Sequence, residues 1–213
     1  MHLRQIHTFA REGKSTFIGV FIRRCLFLLK GKNIITGSNV IFEHLENIQT
    51  KDLVKIGIDY NGFVYKNDIT YLNIRGKLNF KGRYSIGKGC RFDIGPYAVV
   101  EIGNGGYVNA FTKFVISHKL TIGDDCAISW NCQFLDDDFH TIDYEGRKKL
   151  FVNDIVIGNN VYIGSNTSIY KGVKIPDGCI IASDSVVKTS FSEQNVLIGG
   201  NPAIILKRNV TWI

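Results

Sequence analysis

The stretch Ile155-Val-Ile-Gly-Asn-Asn-Val-Tyr-Ile-Gly-Ser-Asn-Thr-Ser-Ile-Tyr-Lys-Gly-Val-Lys-Ile-Pro-Asp-Gly-Cys-Ile-Ile-Ala-Ser-Asp-Ser-Val-Val187 decides the fold. Large aliphatics stand at Ile157, Ile163, Ile169, Ile175, Ile181 and Val187, a period of six. Two residues before each comes a second, mostly smaller side chain: Ile155, Val161, Thr167, Val173, Cys179 and Ser185. A helical turn of 3.6 residues scatters such positions around its axis, so helix is excluded. In extended chain, residues two apart face the same way. Each six therefore supplies one short strand with an inward pair, and the Gly, Asn, Asp and Pro that follow bend the chain. Three strands close a triangle. Stacked triangles bury the aliphatics along a common axis and pair their backbones coil to coil, which is the parallel β-helix that a hexapeptide period signals.

Working outward, a looser ladder begins at Leu72, with inward pairs at Leu78/Phe80, Phe92/Ile94, Val100/Ile102 and Leu120/Ile122. Ile122, Ile128 and Phe134 keep the period, and one more step would place His140 inside the prism. The run Asp136-Asp-Asp-Phe-His-Thr-Ile-Asp-Tyr-Glu-Gly-Arg-Lys-Lys149 is too charged for a coil wall, so an excursion loop is expected over 136–153. Residues 34–71 read less regularly; Ile34 and Ile35, Val40 to Phe42 and Leu53 to Ile58 suggest short strands of an irregular first coil. The expected organisation is a basic amphipathic helix and lead-in over 1–71, a repeat domain over 72–200 and a tail over 201–213.

A chain of 213 residues with 45% hydrophobic content buries one principal core. Its formal charge is +7, yet residues 1–33 hold seven Lys or Arg against Glu12 alone, so the rest is nearly neutral. The basic character belongs to an arm, which predicts a helix from about Thr8 to Lys30 ended by Gly31. Ile18, Phe21, Ile22, Cys25 and Leu29 form one apolar stripe, with Arg23, Arg24 and Lys30 largely off it. Something must cover that stripe. Two occupants are open: the prism or a neighbouring subunit, and the inner membrane face, where the cations would meet anionic headgroups. Arg23-Arg24 splits the apolar segments far below the length of a membrane span, and the arm lacks the pattern of a signal peptide. Five cysteines without metal spacing or an even framework read as free thiols in a reducing cytoplasm. No nucleic-acid partner is expected.

The repeats and the ending Ile198-Gly-Gly-Asn-Pro-Ala203 resemble the hexapeptide-repeat acyltransferases, in the branch of maltose, galactoside and glycan O-acetyltransferases, over roughly Leu72 to Trp212. The resemblance implies an all-β, left-handed parallel β-helix with an N-terminal amphipathic helix, acting as a homotrimer with acetyl-CoA as cosubstrate and no metal. It implies that His140 takes the proton from an acceptor hydroxyl, with a carboxylate, Asp138 or Asp136, orienting the imidazole. A hydroxyl attacking a thioester must lose its proton, and imidazole accepts one near neutrality. Asn109, in Val108-Asn-Ala-Phe111, matches an acceptor-binding asparagine. Tyr162 stands where most relatives have Trp in a Val-Trp-Ile-Gly motif. For coenzyme A the resemblance implies backbone amides near Ser165, Ala182 and Ser183, one of which also serves a tetrahedral oxyanion, with Lys188, Lys207 and Arg208 as phosphate cations. Two motifs depart from the family: Gly-Ala-Gly-Ser becomes Ala182-Ser-Asp-Ser185, and Thr-Lys becomes Lys188-Thr189.

The function expected is acetyl transfer to a sugar hydroxyl, in a surface polysaccharide, lipopolysaccharide or capsule precursor, in the cytoplasm or peripheral at the inner membrane. The alternative is an N-acetyltransferase acting on an amino-sugar nucleotide. A zinc anhydrase of this fold uses three histidines, whereas the prism carries only His118, read as part of a ladder strand, and His140. A metal held by Asp136, Asp137, Asp138 and His140 lacks a regular ligand spacing.

Overall fold

All twelve inward positions of the stretch Ile155 to Val187 are buried, none more than 2% exposed. The computed structural model describes residues 3–58, 62, 64–140 and 154–212. The chain winds through three sheets of nine, seven and six strands, named first, second and third here in the order it visits them. Every pairing is parallel except the last, where Ala203–Arg208 turns back on Val196–Gly200. The register is one residue above its equivalent: Ile128 pairs with Ile163, and Ile163 with Ile181. Phe92, Phe114 and Phe134 stack down the interior at centroid spacings of 4.4 and 4.8 Å.

Corners are where side chains would collide. A Cβ on Gly164 would lie 2.5 Å from the Ser183 nitrogen of the next coil, so only glycine lets these coils approach. Left-handed residues stack there too. Asn131, Asn166 and Asp184 have φ of 57°, 59° and 58°. They are linked by Asn131 Nδ2 donating to Asn166 Oδ1 at 2.8 Å and Asn166 Nδ2 donating to Asp184 Oδ1 at 3.0 Å.

The stack starts well before Leu72. Ile34–Thr36, Val40–Glu43 and Ile48–Thr50 pair in register with Val54–Ile56, Thr70–Ile74 and Lys77–Phe80. The long corner between Val54–Ile56 and Thr70–Ile74 breaks the sequence period without breaking the backbone ladder.

The arm also departs from expectation, being two helices, α1 (Leu3–Glu12) and α2 (Phe17–Leu29). Gly13 and Lys14, the latter at φ 49°, separate them, and Thr16 caps α2 by accepting from the Gly19 N–H at 3.2 Å. Of the two open occupants for the stripe, the chain's own prism is not the one: α2 turns a different face to it. Val20 is fully buried against Ile6, Ala10, Ile35 and Ile58, and Phe27 meets Phe42 edge-on at 5.4 Å. Arg23 Nε donates to Thr36 Oγ1 at 3.1 Å, and Arg24 Nη1 to the Ile34 carbonyl at 3.1 Å. Ile18, Ile22 and Leu29, by contrast, are 68%, 52% and 85% exposed. The reason lies in the end of the ladder. The first coil has no earlier coil to receive its carbonyls, and buried backbone acceptors need donors. Arg23, Arg24 and Lys32 supply them, which fixes the polar face inward.

No helix among the described residues is long and apolar enough to cross a membrane. Cys90, Cys126, Cys132 and Cys179 are buried in the prism and Cys25 is exposed on α2.

Candidate active site

The three prism edges sort the candidate residues. Asn109 follows Tyr107–Val108 at the edge between the first and second sheets, as do Ser165, Ala182 and Ser183 in later coils. Asp136, Asp138 and His140 follow Gln133–Leu135 at the edge between the second and third. Lys188 follows Val186–Val187 at this same second edge. One chain therefore keeps the candidate base away from the candidate acceptor-binding amide.

At the second edge the chain is held by Asp136, which is fully buried. Its carboxylate accepts the N–H groups of Ser117, His118 and Lys119 at 2.7, 2.8 and 3.0 Å. Burial pushes the carboxyl's pKa up, while these three amides pull the other way. The root of the excursion is thus pinned to the coil beneath, and the chain leaves the prism from a fixed point. His140 is exposed, so the period of six stops at Phe134 as the charge pattern requires. The remainder of the expected excursion, 141–153, lies outside the described residues.

The neighbouring carboxylates have other partners. Asp138 forms an ion pair with Lys171 Nζ, so among the described residues it is not seen at the imidazole. Asp137 Oδ2 lies 3.2 Å from His118 Nε2. The Phe139 N–H, donating to Asp137 at 2.9 Å, is the main influence holding that carboxyl below its ordinary pKa, and His118 adds to it. His118 sits in the bend before Lys119–Ile122 rather than within a ladder strand, because Asp136 claims the backbone at that corner. Among the described residues no three His, Cys, Asp or Glu side chains gather as a metal-binding set.

At the first edge, Ser165 Oγ donates to Ser183 Oγ at 3.2 Å, and the Ala182 N–H is taken by the Ile198 carbonyl at 2.8 Å. Lys188 Nζ lies 6.0 Å from the Tyr170 ring, Lys207 is exposed, and Arg208 makes a two-pronged pair with Glu193 at 2.6 and 3.0 Å. Tyr162 faces outward from the first sheet, where Trp212 of the tail packs on it at 5.7 Å.

Asn109 borders a cavity of about 480 Å³ on the first sheet, beneath Phe9 of α1. Lys55, Ser85 and Tyr107, which line it, are paired in one row across three coils. Sequence reasoning missed these three. They occupy outward positions between inward aliphatics, and the irregular corner after Ile56 hides that they share a register.

With this architecture in view, the pattern of the family "Bacterial transferase hexapeptide (six repeats)" matches residues 154–189. Over 206 residues the chain is 37% identical to an uncharacterized 24.8 kDa protein in the cps region of Klebsiella pneumoniae, covering 95% of this chain and 91% of that one. It is 26% identical to the putative lipopolysaccharide biosynthesis O-acetyl transferase WbbJ of Escherichia coli (strain K12), covering 65% of this chain and 75% of that protein. The crystal structure of the hexapeptide-repeat acetyltransferase VCA0836 of Vibrio cholerae O1 biovar eltor, complexed with acetyl coenzyme A, superposes with a TM-score of 0.50 at 27% identity, covering 61% of this chain and 70% of that one. The chain belongs to the hexapeptide-repeat transferase family, and is an acetyltransferase built as a left-handed parallel β-helix.

Proposed function

We propose that the protein transfers an acetyl group from acetyl-CoA to a sugar hydroxyl of a surface polysaccharide, lipopolysaccharide or capsule precursor. The observation that carries this reading is His140, an exposed imidazole at the head of the excursion, two positions beyond the Asp138–Lys171 ion pair and four beyond the buried anchor Asp136. In the reaction, the acceptor oxygen attacks the thioester carbonyl as its proton passes to the imidazole. The resulting oxyanion is held by a backbone amide of the Ser165 region. Collapse breaks the C–S bond, and the imidazolium returns its proton to the departing coenzyme A thiolate. Asp138 orients the imidazole when acceptor is bound.

Coenzyme A fits the first edge by its chemistry. Ser165 and Ser183 put hydroxyls side by side where glycine at 164 keeps the surface low, exposed Lys207 and the Glu193-paired Arg208 lie on the strand that turns back on the first sheet, and Lys188 would reach a phosphate from the second edge of a neighbouring subunit. Because the acceptor amide and the base occupy different edges, the working site joins two subunits of a homotrimer. The exposed stripe of α2 gives the protein a seat at the inner membrane face, where lipid-linked glycans are assembled. The testing experiment is mass spectrometry of the surface glycan from cells with and without the gene, together with transfer of labelled acetyl from acetyl-CoA to that glycan in vitro. An O-acetyl group present only with the gene is expected. A glycan of unchanged mass, or acetyl appearing only on an amine, refutes the proposal.

A further inference from the structure

We propose that Trp130 is the platform on which the acceptor's sugar ring lies, its indole meeting the apolar face of a pyranose whose hydroxyl is held by Asn109. This rests on the glycan acetyl-transfer reading and names a residue that selects the acceptor.

Register sets the place of the indole. Val108 pairs with Ile128, Ile128 with Ile163 and Ile163 with Ile181, so the residues after them come one above another at the first edge. Hydrogen bonds at the corner keep the same register. The Asn131 N–H donates to the Ala110 carbonyl at 2.9 Å, that of Asn166 to the Trp130 carbonyl at 3.1 Å and that of Asp184 to the Ser165 carbonyl at 2.9 Å. Ala110, Trp130, Ser165 and Ser183 therefore form one column, with Asn109 next to its lowest member. Adjacent coils are about 4.8 Å apart. Trp130 thus stands one coil above the candidate acceptor-binding amide and one coil below the serines assigned to coenzyme A, and a sugar reaching from Asn109 toward the thioester passes the indole. Trp130 also shares its coil with the root of the His140 segment. In a trimer of prisms standing side by side, the indole of one copy comes level with that segment of the next.

The chemistry of the ring names what it meets. Trp130 is 42% exposed, whereas Ala110 beneath it is fully buried and Ser165 above it is small. A single exposed aromatic is ordinary on a protein surface, but this one stands between the two halves of the site. A pyranose carries C–H groups on its faces and hydroxyls around its rim. An indole matches both, with an apolar face for the C–H groups and an N–H at its edge for a hydroxyl. The pantetheine arm is a thin chain with amides, which suits the hydroxyls of Ser165 and Ser183 better than a flat ring. The platform is also set in advance. The Ser129 N–H donates to the Ile163 carbonyl at 2.8 Å, the Ser129 carbonyl accepts Thr112 Oγ1 at 3.1 Å, and Asn131 at φ 57° turns the chain directly after the indole. A backbone tied to the coils above and below loses little freedom when a ligand lands on its side chain.

The test uses glycan isolated from cells lacking the gene as the acceptor probe. The chain holds two tryptophans, so in Trp212→Phe the emission reports on Trp130 alone. Glycan should quench or blue-shift that emission, and coenzyme A by itself should leave it unmoved. In steady-state transfer, Trp130→Ala and Trp130→Leu should raise the KM for glycan about tenfold, leave the KM for acetyl-CoA within about twofold and keep the parent's oligomer mass. Trp130→Phe should recover most of the loss. Emission that ignores glycan or answers to coenzyme A alone, or an unchanged glycan KM in the alanine and leucine chains, overturns the inference, and transfer by the parent then leaves the acetyl-transfer reading standing. Should those two substitutions change the oligomer mass, the emission titration, in which Trp130 is intact, decides. Emission that moves with glycan while no acetyl reaches it supports the platform and removes the glycan acetyl-transfer reading instead.

Discussion

Asn109 and His140 stand on different edges of the same prism, the first where the chain passes from the first sheet to the second, the other where it passes from the second to the third. The Asn109 N–H is fixed by the Ile128 carbonyl at 2.8 Å, and the root of the His140 segment is fixed through Asp136. Because the two residues leave the prism at different edges, a reaction using both is expected to draw them from two copies of the chain.

A closed trimer provides it, since a cyclic arrangement reuses one interface three times. Light scattering should give about three times the 23.9 kDa chain mass. Mixing His140→Ala with Asn109→Ala chains should restore part of the activity that each lacks alone. A monomer mass, or no complementation, counts against the shared site.

His140→Ala should lower acetyl transfer by about 10² to 10⁴, as loss of a general base does, with an unchanged circular dichroism spectrum. Activity within threefold of the parent at neutral pH and saturating acceptor would remove His140 from the role.

Asp136→Ala leaves three backbone N–H groups, those of Ser117, His118 and Lys119, without their acceptor. The expected loss of stability is about 3 kcal/mol, read from denaturant unfolding, with Asp136→Asn losing less because its amide oxygen still accepts. Equal stability of all three proteins would show that the excursion root does not depend on the carboxylate.

The outward stripe of α2 is expected to seat the protein on anionic vesicles. Because Arg23 and Arg24 face the prism, the apolar residues should matter more than salt. Ile22→Asp with Leu29→Asp should abolish cosedimentation and leave transfer to a soluble acceptor intact. If the double variant instead changes the oligomer mass, the stripe is a subunit contact.

Thiol reactivity checks the placement of the arm. Burial pushes Cys90 up to about 12, and Cys126 and Cys132 to about 11, whereas Cys25 is exposed. At pH 8 a disulfide reagent should modify one thiol per native chain, lost in Cys25→Ser, and the others only after unfolding. Vesicles should slow modification of Cys25. Rapid reaction of several thiols in the native protein would contradict the described packing.

The sequence alone determined the coil, because a side-chain period of six with glycine and asparagine at the bends has only one economical way to bury its aliphatics; Ile157, Ile163 and Ile181 needed no partner beyond their own repeat. It also marked where the coil is left, since Asp136 to Lys149 cannot line an apolar interior, and it pointed to His140, Asn109 and the first-edge serines through motif position. What it could not determine was anything decided between residues far apart in the chain. The face that α2 presents depends on unsatisfied carbonyls of the first coil, which exist only once that coil has formed, so Arg23 and Arg24 turned inward against the amphipathic pattern. The partners of Asp136, Asp137 and Asp138 lie in other coils, at Ser117 to Lys119, His118 and Lys171. The row of Lys55, Ser85 and Tyr107 exists only through registers set across an irregular corner. A local period fixes which side of a strand is buried, whereas hydrogen bonds and charges between coils depend on how the stack closes in three dimensions.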